Sequence, residues 1–145
     1  MRALVIVVAL AAVAVPSQAQ DKQVIRPPGG RSSAPYSPAV RVGNLLFLSG
    51  QIGRVPGGGL ADTTVAGQTR QALENVRALL ELAGSSLDRV AKCTVFLADI
   101  RDYGVMNQAY SAVFTTDPPA RSAVAVSGLP AGAKVEIECI AIAGG

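Results

Sequence analysis

One Arg and two Glu stand within or at the edge of apolar, strand-like runs near the end of the chain, and these three residues are its first candidates for chemistry. The sequence there reads PPARSAVAVSGLPAGAKVEIECIAI, residues 118–142, and the three are Arg121, Glu136 and Glu138. Guanidinium groups bind carboxylates and carboxylates move protons, but charged side chains are seldom fully buried unless they are paired. The three residues therefore need an exposed face or a cleft. Taken alone, Arg121 and Glu136 are better described by a structural salt bridge across two strands.

The composition excludes several other kinds of site. The chain contains no His, which rules out a Ser-His-Asp triad, a Cys-His dyad and a metal site with imidazole ligands. Its net charge is only +3, and the cations beyond residue 20 are scattered from Lys22 to Lys134 without a basic run. Three Phe, three Tyr and no Trp leave few side chains to stack on bases. We therefore expect no nucleic-acid partner.

The first twenty residues predict export. The sequence MRALVIVVALAAVAVPSQAQ has one cation at Arg2, an apolar run over residues 3–15, and the small residues Ser17 and Ala19. This pattern is typical of a secretory signal peptide, residues 1–19, which is cleaved after Ala19. The run is well short of the roughly 20 residues that span a bilayer, which disfavours a permanent anchor. We expect a periplasmic or secreted protein with no stable membrane association after cleavage.

The chain after the signal begins with an irregular arm and a pair of strands. Residues 20–38 are rich in Pro, Gly and Ser and are typical of an extended N-terminal arm. Two short strands are then predicted about a turn at Gly43 and Asn44, the second of them over residues 45–49. Gly50 is expected to end this second strand.

A helix over residues 63–83 is the clearest single prediction. Its apolar residues recur at helical spacing, Asp62 or Thr63 is available as the N-cap, and Gly84 follows as a stop. The remaining predicted elements are a strand over 90–98, a helix over 102–114, and two final strands over 121–127 and 133–142.

The order of these elements, ββαβαββ, predicts the fold class. We expect a single α+β domain over residues 39–145, in which one mixed β-sheet is covered on one face by two α-helices. Side chains alternate along a strand, so Glu136 and Glu138 share one face of the last strand and Cys139 belongs to the other. The uncovered face is expected to carry the charged residues, Arg121 included, and enough apolar side chains to require a partner.

Two cysteines, Cys93 and Cys139, lie in apolar runs that resemble strands. An exported protein can pair them, but a disulfide requires that the two Cα atoms lie close together, which the sequence does not establish. We expect two buried thiols rather than a disulfide.

Nearly the whole chain after the signal resembles the Rid proteins, the reactive intermediate deaminases of the YjgF family. The resemblance runs in order through APYSPAV, GNLLFLSGQI, QTRQALENVRALLELAG, VAKCTVFLADI and YSAVF, and it is most specific in the closing PPAR and EIE motifs. It implies a chorismate-mutase-like fold, assembled as a homotrimer with the sheets facing inward. It also implies ligand clefts between neighbouring subunits.

The resemblance implies roles for particular residues. Arg121, in the PAR motif, matches the residue that binds the substrate carboxylate, and Glu136, the first Glu of EIE, matches the residue that handles a water molecule. Tyr36 and Ser49 match two residues that line the same cleft, although loop packing and backbone capping describe them about equally well. Ala123 stands in the cleft where many members have Cys.

Glu138 lies two residues from Glu136 on the same face of the last predicted strand. It is expected to be a salt-bridge partner at the subunit interface, with Lys134 as its counterpart. The chain also departs from the family pattern at Ala34, where most members have Gly before Pro-Tyr.

The resemblance also implies a reaction. The expected activity is a deaminase that hydrolyses enamines and imines such as 2-aminoacrylate, 2-iminopropanoate and 2-iminobutanoate to 2-keto acids and ammonia. Positioning supplies much of the catalysis, and no metal or redox cofactor is required. The alternative is a periplasmic member that binds small carboxylates or acts as a chaperone without turnover. Export favours this alternative, because the dehydratases expected to generate such imines are cytosolic.

Overall fold

The computed structural model describes residues 21–29 and 34–144. The predicted signal peptide, residues 1–19, lies outside the described residues, and so does part of the predicted arm over 20–38. Within the described ranges, six strands and two α-helices follow each other in the order βββαβαββ. They are β1 Lys22–Ile25, β2 Ala39–Val42, β3 Leu45–Ile52, α1 Val65–Leu82, β4 Val90–Leu97, α2 Tyr103–Ser111, β5 Ala120–Ala125 and β6 Val135–Ile142.

The strands form one mixed sheet in the order β1-β2-β3-β6-β4-β5. Every neighbouring pair is antiparallel except β4 and β5, which run parallel. α1 lies against β3, β6 and α2 on the same side of the sheet. The predicted α+β domain, a mixed sheet with two helices on one face, is confirmed.

The core lies between the two helices and the covered face of the sheet. β6 runs through its centre, and its side chains alternate between buried and more exposed positions along the whole strand. From β6 the core receives Val135, Ile137, Cys139 and Ala141, and from α1 it receives Ala72, Leu73, Val76 and Leu80.

α1 forms where its apolar spacing predicts, with one correction at its start. The N-cap is Thr64, whose hydroxyl accepts a hydrogen bond from the backbone N–H of Gly67 at 3.1 Å. Asp62 or Thr63 was the expected cap, but the Asp62 carboxylate accepts from the backbone N–H of Thr64 at 2.9 Å and so fixes the turn that precedes the helix. Gly84, with φ of 72°, follows the helix as expected.

Two boundaries in the first half differ from the sequence prediction. The arm is not wholly irregular, because β1 pairs with β2 and places Val24 beside Val40. Gly50 does not end β3, since the strand continues to Ile52 across a register shift between Leu48 and Gln51. Such a bulge lets a strand keep its pairing around an irregular residue, which a local sequence pattern does not reveal.

Arg121 does not share the uncovered face with the two glutamates, as the alternation pattern led us to expect. In the parallel pair of β4 and β5, Arg121 lies beside Cys93, whose side chain is fully buried on the covered face. Residues side by side in a sheet point the same way, so Arg121 points toward the helices. The prediction was wrong because alternation relates residues within one strand, whereas the pairing with β4 decides the face of β5.

Cys93 and Cys139 form a disulfide, which corrects the expectation of two free thiols. They lie directly opposite each other in the antiparallel pair of β4 and β6, with their Cα atoms 4.1 Å apart. Both side chains point into the core. The pairing of two strands separated by 46 residues in sequence brings them together, and no local pattern reports such a long-range register.

Removing the disulfide should destabilise the domain. A cross-link between residues 46 positions apart reduces the entropy of the unfolded chain, which the chain-entropy treatment converts into a stabilisation of about 4 kcal/mol. Typical measured values are about 2–4 kcal/mol. We expect the Cys93→Ala/Cys139→Ala variant and the reduced wild-type protein to lose free energy of unfolding in this range, measured by urea denaturation. The double variant is the control, since its transition should not respond to reductant. Identical wild-type transitions with and without reductant would contradict the prediction.

Candidate functional site

The predicted site residues fall into two separate clusters. Tyr36, Ser49 and Glu136 line one open groove beside the end of β3. Arg121 lies instead against α2, on β5 at the edge of the sheet. The structure therefore brings three of the five predicted residues together and leaves Arg121 and Ala123, both on β5, elsewhere in the same chain.

The Glu136 carboxylate occupies a place that exists because residue 50 is glycine. A Cβ atom built on Gly50 would stand 1.8 Å from Oε1 of Glu136. The bulge in β3 lies just here, between Leu48 and Gln51, and Glu136 itself pairs with Ile52. The missing side chain and the irregular backbone together hold the carboxylate against β3.

The electrostatic surroundings of Glu136 make it a better base than an ordinary carboxylate. Burial in the groove, and then repulsion from Glu138 two residues along the strand, raise the pKa of Glu136 above its usual value. A carboxylate with a raised pKa takes up a proton more readily at near-neutral pH. Glu136 thus has the chemical character of a general base.

Tyr36 and Ser49 form the loop side of the groove. The Ser49 hydroxyl donates to the carbonyl oxygen of Ser37 at 2.6 Å, and the Ser49 N–H donates to the carbonyl of Pro38 at 3.0 Å. Ser49 therefore fixes the loop that carries Tyr36. The Tyr36 ring is 62% exposed, which leaves it open to a ligand or to a second molecule.

The second cluster surrounds the Arg121 guanidinium. Nη2 donates to Oδ1 of Asn107 at 2.6 Å and to the hydroxyl of Tyr103 at 3.2 Å. The guanidinium carbon lies 4.5 Å from the centre of the Tyr110 ring and 5.8 Å from that of Tyr103. Aromatic faces attract a cation at these distances, so two rings of α2 stabilise the guanidinium in addition to its hydrogen bonds.

Tyr103, Asn107 and Tyr110 were not among the site residues predicted from the sequence. Their spacing of four and three residues places them on one face of α2, so helical periodicity was a usable signal. Their function was hidden because the pattern also fits ordinary packing, and Tyr110 is in fact buried against Phe114. Burial raises the pKa of Tyr110 to about 12, which keeps its hydroxyl neutral beside the cation.

Arg121 and Glu136 do not form the salt bridge that their residue types suggested. They lie on opposite faces of the sheet, on β5 and β6, with β4 between these two strands. Among the described residues Arg121 has no carboxylate partner. Ala123 follows Arg121 on the same strand and packs against the core, so its predicted contact with a ligand stays a prediction.

The described residues show neither a metal-binding cluster nor a membrane-spanning helix. No group of three or more His, Cys, Asp or Glu side chains within residues 21–29 and 34–144 is arranged to hold a metal ion. Neither α1 nor α2, the α-helices of these ranges, is long and apolar enough to cross a membrane.

Comparisons with known proteins identify relatives over most of the chain. Residues 29–143 match the family model described as Endoribonuclease L-PSP. The chain is 46% identical over 110 residues to Protein HMF1 of Saccharomyces cerevisiae, covering 76% of this chain and 85% of that protein. It is 44% identical over 111 residues to the 2-iminobutanoate/2-iminopropanoate deaminase of Homo sapiens, covering 76% and 81% respectively. The crystal structure of the YjgF gene product from E. coli matches with a TM-score of 0.77 at 39% identity, covering 83% of this chain and 98% of that chain.

The TM-score of 0.77 shows that this chain, with its mixed six-stranded sheet and two helices, has the same fold as that solved structure. The chain belongs to the Rid family, also called the YjgF or L-PSP family. The names of related proteins differ, since the family model is described as an endoribonuclease and the human relative as a deaminase. Family membership therefore defines the fold, and the reaction has to be argued from the site.

The pKa of Glu136 should fall toward the ordinary value in the Glu138→Gln variant, because one of its two causes is removed while burial remains. Because the folded protein raises the pKa of Glu136, ionisation of this side chain opposes folding. The protonated Glu136 therefore contributes to the stability of the fold at low pH, and this contribution is lost as the pH rises through the pKa of Glu136 in the folded protein. Titration of the carboxyl carbon by NMR measures the shift. Glu81→Gln, an exposed change on α1, is the control and should leave this pKa unchanged. An unchanged pKa in Glu138→Gln would contradict the assignment.

Proposed function

We propose that this protein hydrolyses 2-imino acids and their enamine tautomers to 2-keto acids and ammonia. The substrates are of the class of 2-aminoacrylate, 2-iminopropanoate and 2-iminobutanoate. One observation carries the proposal: an Arg121 guanidinium with no carboxylate partner among the described residues accompanies a Glu136 carboxylate of raised pKa in an open groove. The printed name of the human relative, 2-iminobutanoate/2-iminopropanoate deaminase, supports it.

Arg121 binds and orients the substrate in this proposal. Its planar fork suits a carboxylate because two N–H bonds point in parallel at two oxygens. Asn107 and the rings of Tyr103 and Tyr110 hold the guanidinium in place before the substrate arrives. Orientation contributes strongly here, since imines already react with water and the remaining barrier is modest.

Glu136 moves the protons. It takes one from a water molecule as the water oxygen bonds to the imine carbon and the C=N electron pair moves to nitrogen. It then returns that proton to the amino nitrogen. As the C–N bond breaks, the hydroxyl oxygen forms the carbonyl, and its proton passes through Glu136 to the departing ammonia.

The two halves of the site require a second subunit. Arg121 and Glu136 point from opposite faces of the sheet, so one substrate reaches both only if they come from different chains. We propose the homotrimer of the family resemblance, with sheets facing inward. Exposed apolar side chains on the uncovered face, among them Phe47, Val124 and Ile142, support association. The groove of about 990 Å³ also leaves room for a neighbour beside a small ligand.

We also propose that the protein acts outside the cytoplasm, after cleavage of residues 1–19. The apolar N-terminal sequence supports export, and the disulfide between Cys93 and Cys139 is of the kind that persists in oxidising compartments. N-terminal sequencing of the exported protein should show Gln20 as its first residue. Recovery of the full-length chain with free thiols in the cytosol would refute export and place the substrate in ordinary amino-acid metabolism.

Imine hydrolysis should depend on both charged groups. The mature protein should accelerate ammonia release from 2-imino acids generated by an amino-acid oxidase. Arg121→Ala should abolish the activity, and Arg121→Lys should recover little because a point charge lacks the fork. Glu136→Gln should cost about 100-fold or more through loss of the base. Gly50→Ala should act similarly, since its Cβ occupies the position of the carboxylate.

Glu81→Gln is the matched control for these variants, because it makes the same chemical change on the exposed side of α1. If Arg121→Ala loses activity and Glu136→Gln retains it, orientation alone is the mechanism and the role of Glu136 as a base is wrong. If the wild-type protein binds 2-keto acids without shortening the lifetime of the imine, the protein is a carboxylate-binding member of the family.

Co-expression of two inactive variants should restore activity if the site lies between subunits. In a closed ring assembled at random from Arg121→Ala and Glu136→Gln chains, about a quarter of the sites receive an intact Arg121 and an intact Glu136. We therefore expect about a quarter of wild-type activity, in an assembly of about three times the monomer mass by light scattering. Arg121→Ala co-expressed with the double variant is the control. A monodisperse monomer, or no recovery, would refute the shared site.

A further inference from the structure

One nitrogen of the Arg121 guanidinium makes both of its hydrogen bonds. Nη2 donates to Asn107 at 2.6 Å and to the Tyr103 hydroxyl at 3.2 Å. This nitrogen carries two hydrogens, so both are engaged. Nε and Nη1 donate to no residue in the described part of the chain.

These two hydrogen bonds prevent the guanidinium from binding a carboxylate through two parallel hydrogen bonds unless one of them is released. A guanidinium has two edges with parallel N–H bonds, one made by Nε with Nη2 and the other by Nη1 with Nη2. Both edges include Nη2. A carboxylate held by two hydrogen bonds must therefore take over one of the two hydrogens that Arg121 already uses.

The bond to Tyr103 is the one that the ligand replaces. It is longer than the bond to Asn107 by 0.6 Å, the difference between 3.2 and 2.6 Å, and it lies at an exposed position, whereas the Asn107 bond is partly buried. Longer and more exposed hydrogen bonds are easier to exchange with a competing acceptor. Asn107 then continues to fix the guanidinium while the ligand binds.

The hydroxyl released in this way is ready to act as a donor. In the bond from Nη2 the Tyr103 oxygen accepts, so that bond does not use its own hydrogen. The ring is 43% exposed, which leaves a path for a ligand between it and the guanidinium. A carboxylate oxygen that takes the Nη2 hydrogen arrives within reach of this hydroxyl.

We propose that Tyr103 is a further substrate-binding residue, whose hydroxyl turns from accepting an Arg121 hydrogen to donating its own hydrogen to the substrate carboxylate. The inference rests on the proposed function, because it assumes that Arg121 binds 2-imino and 2-keto carboxylates. It adds a third hydrogen bond to the two-pronged contact. The substrate carboxylate takes no part in the bond changes of the reaction, so this hydrogen bond is equally strong in the ground state and in the transition state.

Tyr103→Phe tests the inference, because it removes the hydroxyl and keeps the ring. We expect the Kd for 2-oxobutanoate, the stable product of 2-iminobutanoate hydrolysis, to rise about tenfold by calorimetry, which corresponds to about 1.4 kcal/mol. KM for the imine should rise by a similar factor with kcat unchanged, as expected for uniform binding. A residue that only supported the geometry of Arg121 against Glu136 would lower kcat. Ser111→Ala, which removes an exposed hydroxyl from the end of the same helix, is the control.

The outcomes separate this inference from the proposed function. If Tyr103→Phe weakens binding of 2-oxobutanoate but no form of the protein accelerates imine hydrolysis, the inference stands and the proposed reaction fails. If imine hydrolysis occurs and Tyr103→Phe binds 2-oxobutanoate as tightly as the wild type, the inference is wrong and the reaction stands. Wild-type protein that does not bind 2-oxobutanoate overturns the inference.

Discussion

The alternation of side chains along β6 is the constraint on which the rest of the structure depends. β6 pairs with β3 on one side and β4 on the other, so its two faces set the two faces of the sheet. Its inward residues, such as Ile137 and Cys139, form the centre of the core beneath the helices, and Glu136 and Glu138 must point the other way. A shift of one residue would bury two carboxylates and expose the core, so the register is strongly determined. The position of the candidate base follows from the same requirement that builds the core.

A hydrogen bond to a buried side chain on α1 holds the start of β6 in place. Gln68 on α1 is almost fully buried, and its amide oxygen accepts from the backbone N–H of Lys134 at 2.8 Å while its amide nitrogen donates to the carbonyl of Asp62 at 2.8 Å. The first of these bonds links α1 to the backbone just before Glu136, and the second links α1 to the turn that precedes the helix, so this buried amide has a partner for both of its polar atoms. Farther along the strand, the disulfide ties Cys139 to β4. The carboxylate therefore projects from a strand that is fixed at two points.

The two charged groups of the candidate site have opposite environments, and this suits the roles proposed for them. Arg121 lies on an edge strand among the side chains of α2, where an amide oxygen, a hydroxyl and two aromatic faces stabilise its charge without neutralising it. Glu136 lies where burial and a neighbouring carboxylate disfavour its charge. A cation that remains charged suits an anchor, and an anion whose charge is disfavoured suits a base. Within one chain, the register that places Arg121 beside Cys93 puts its side chain on the face opposite to that of Glu136, so these two groups do not form an ion pair there.

The sequence alone predicted the α+β class, most of the strands and both helices, because periodicity and turn residues are local signals. It also predicted Arg121, Glu136, Tyr36 and Ser49 as site residues, through the resemblance of the chain to a known family, and these assignments stay predictions. Tertiary structure decided the rest. Only strand pairing could show that Arg121 points toward α2, that Gly50 makes room for Glu136, and that Cys93 meets Cys139. Alternation along one strand defines two faces but does not say which face meets which neighbour, since that choice is made by contacts between residues far apart in the chain.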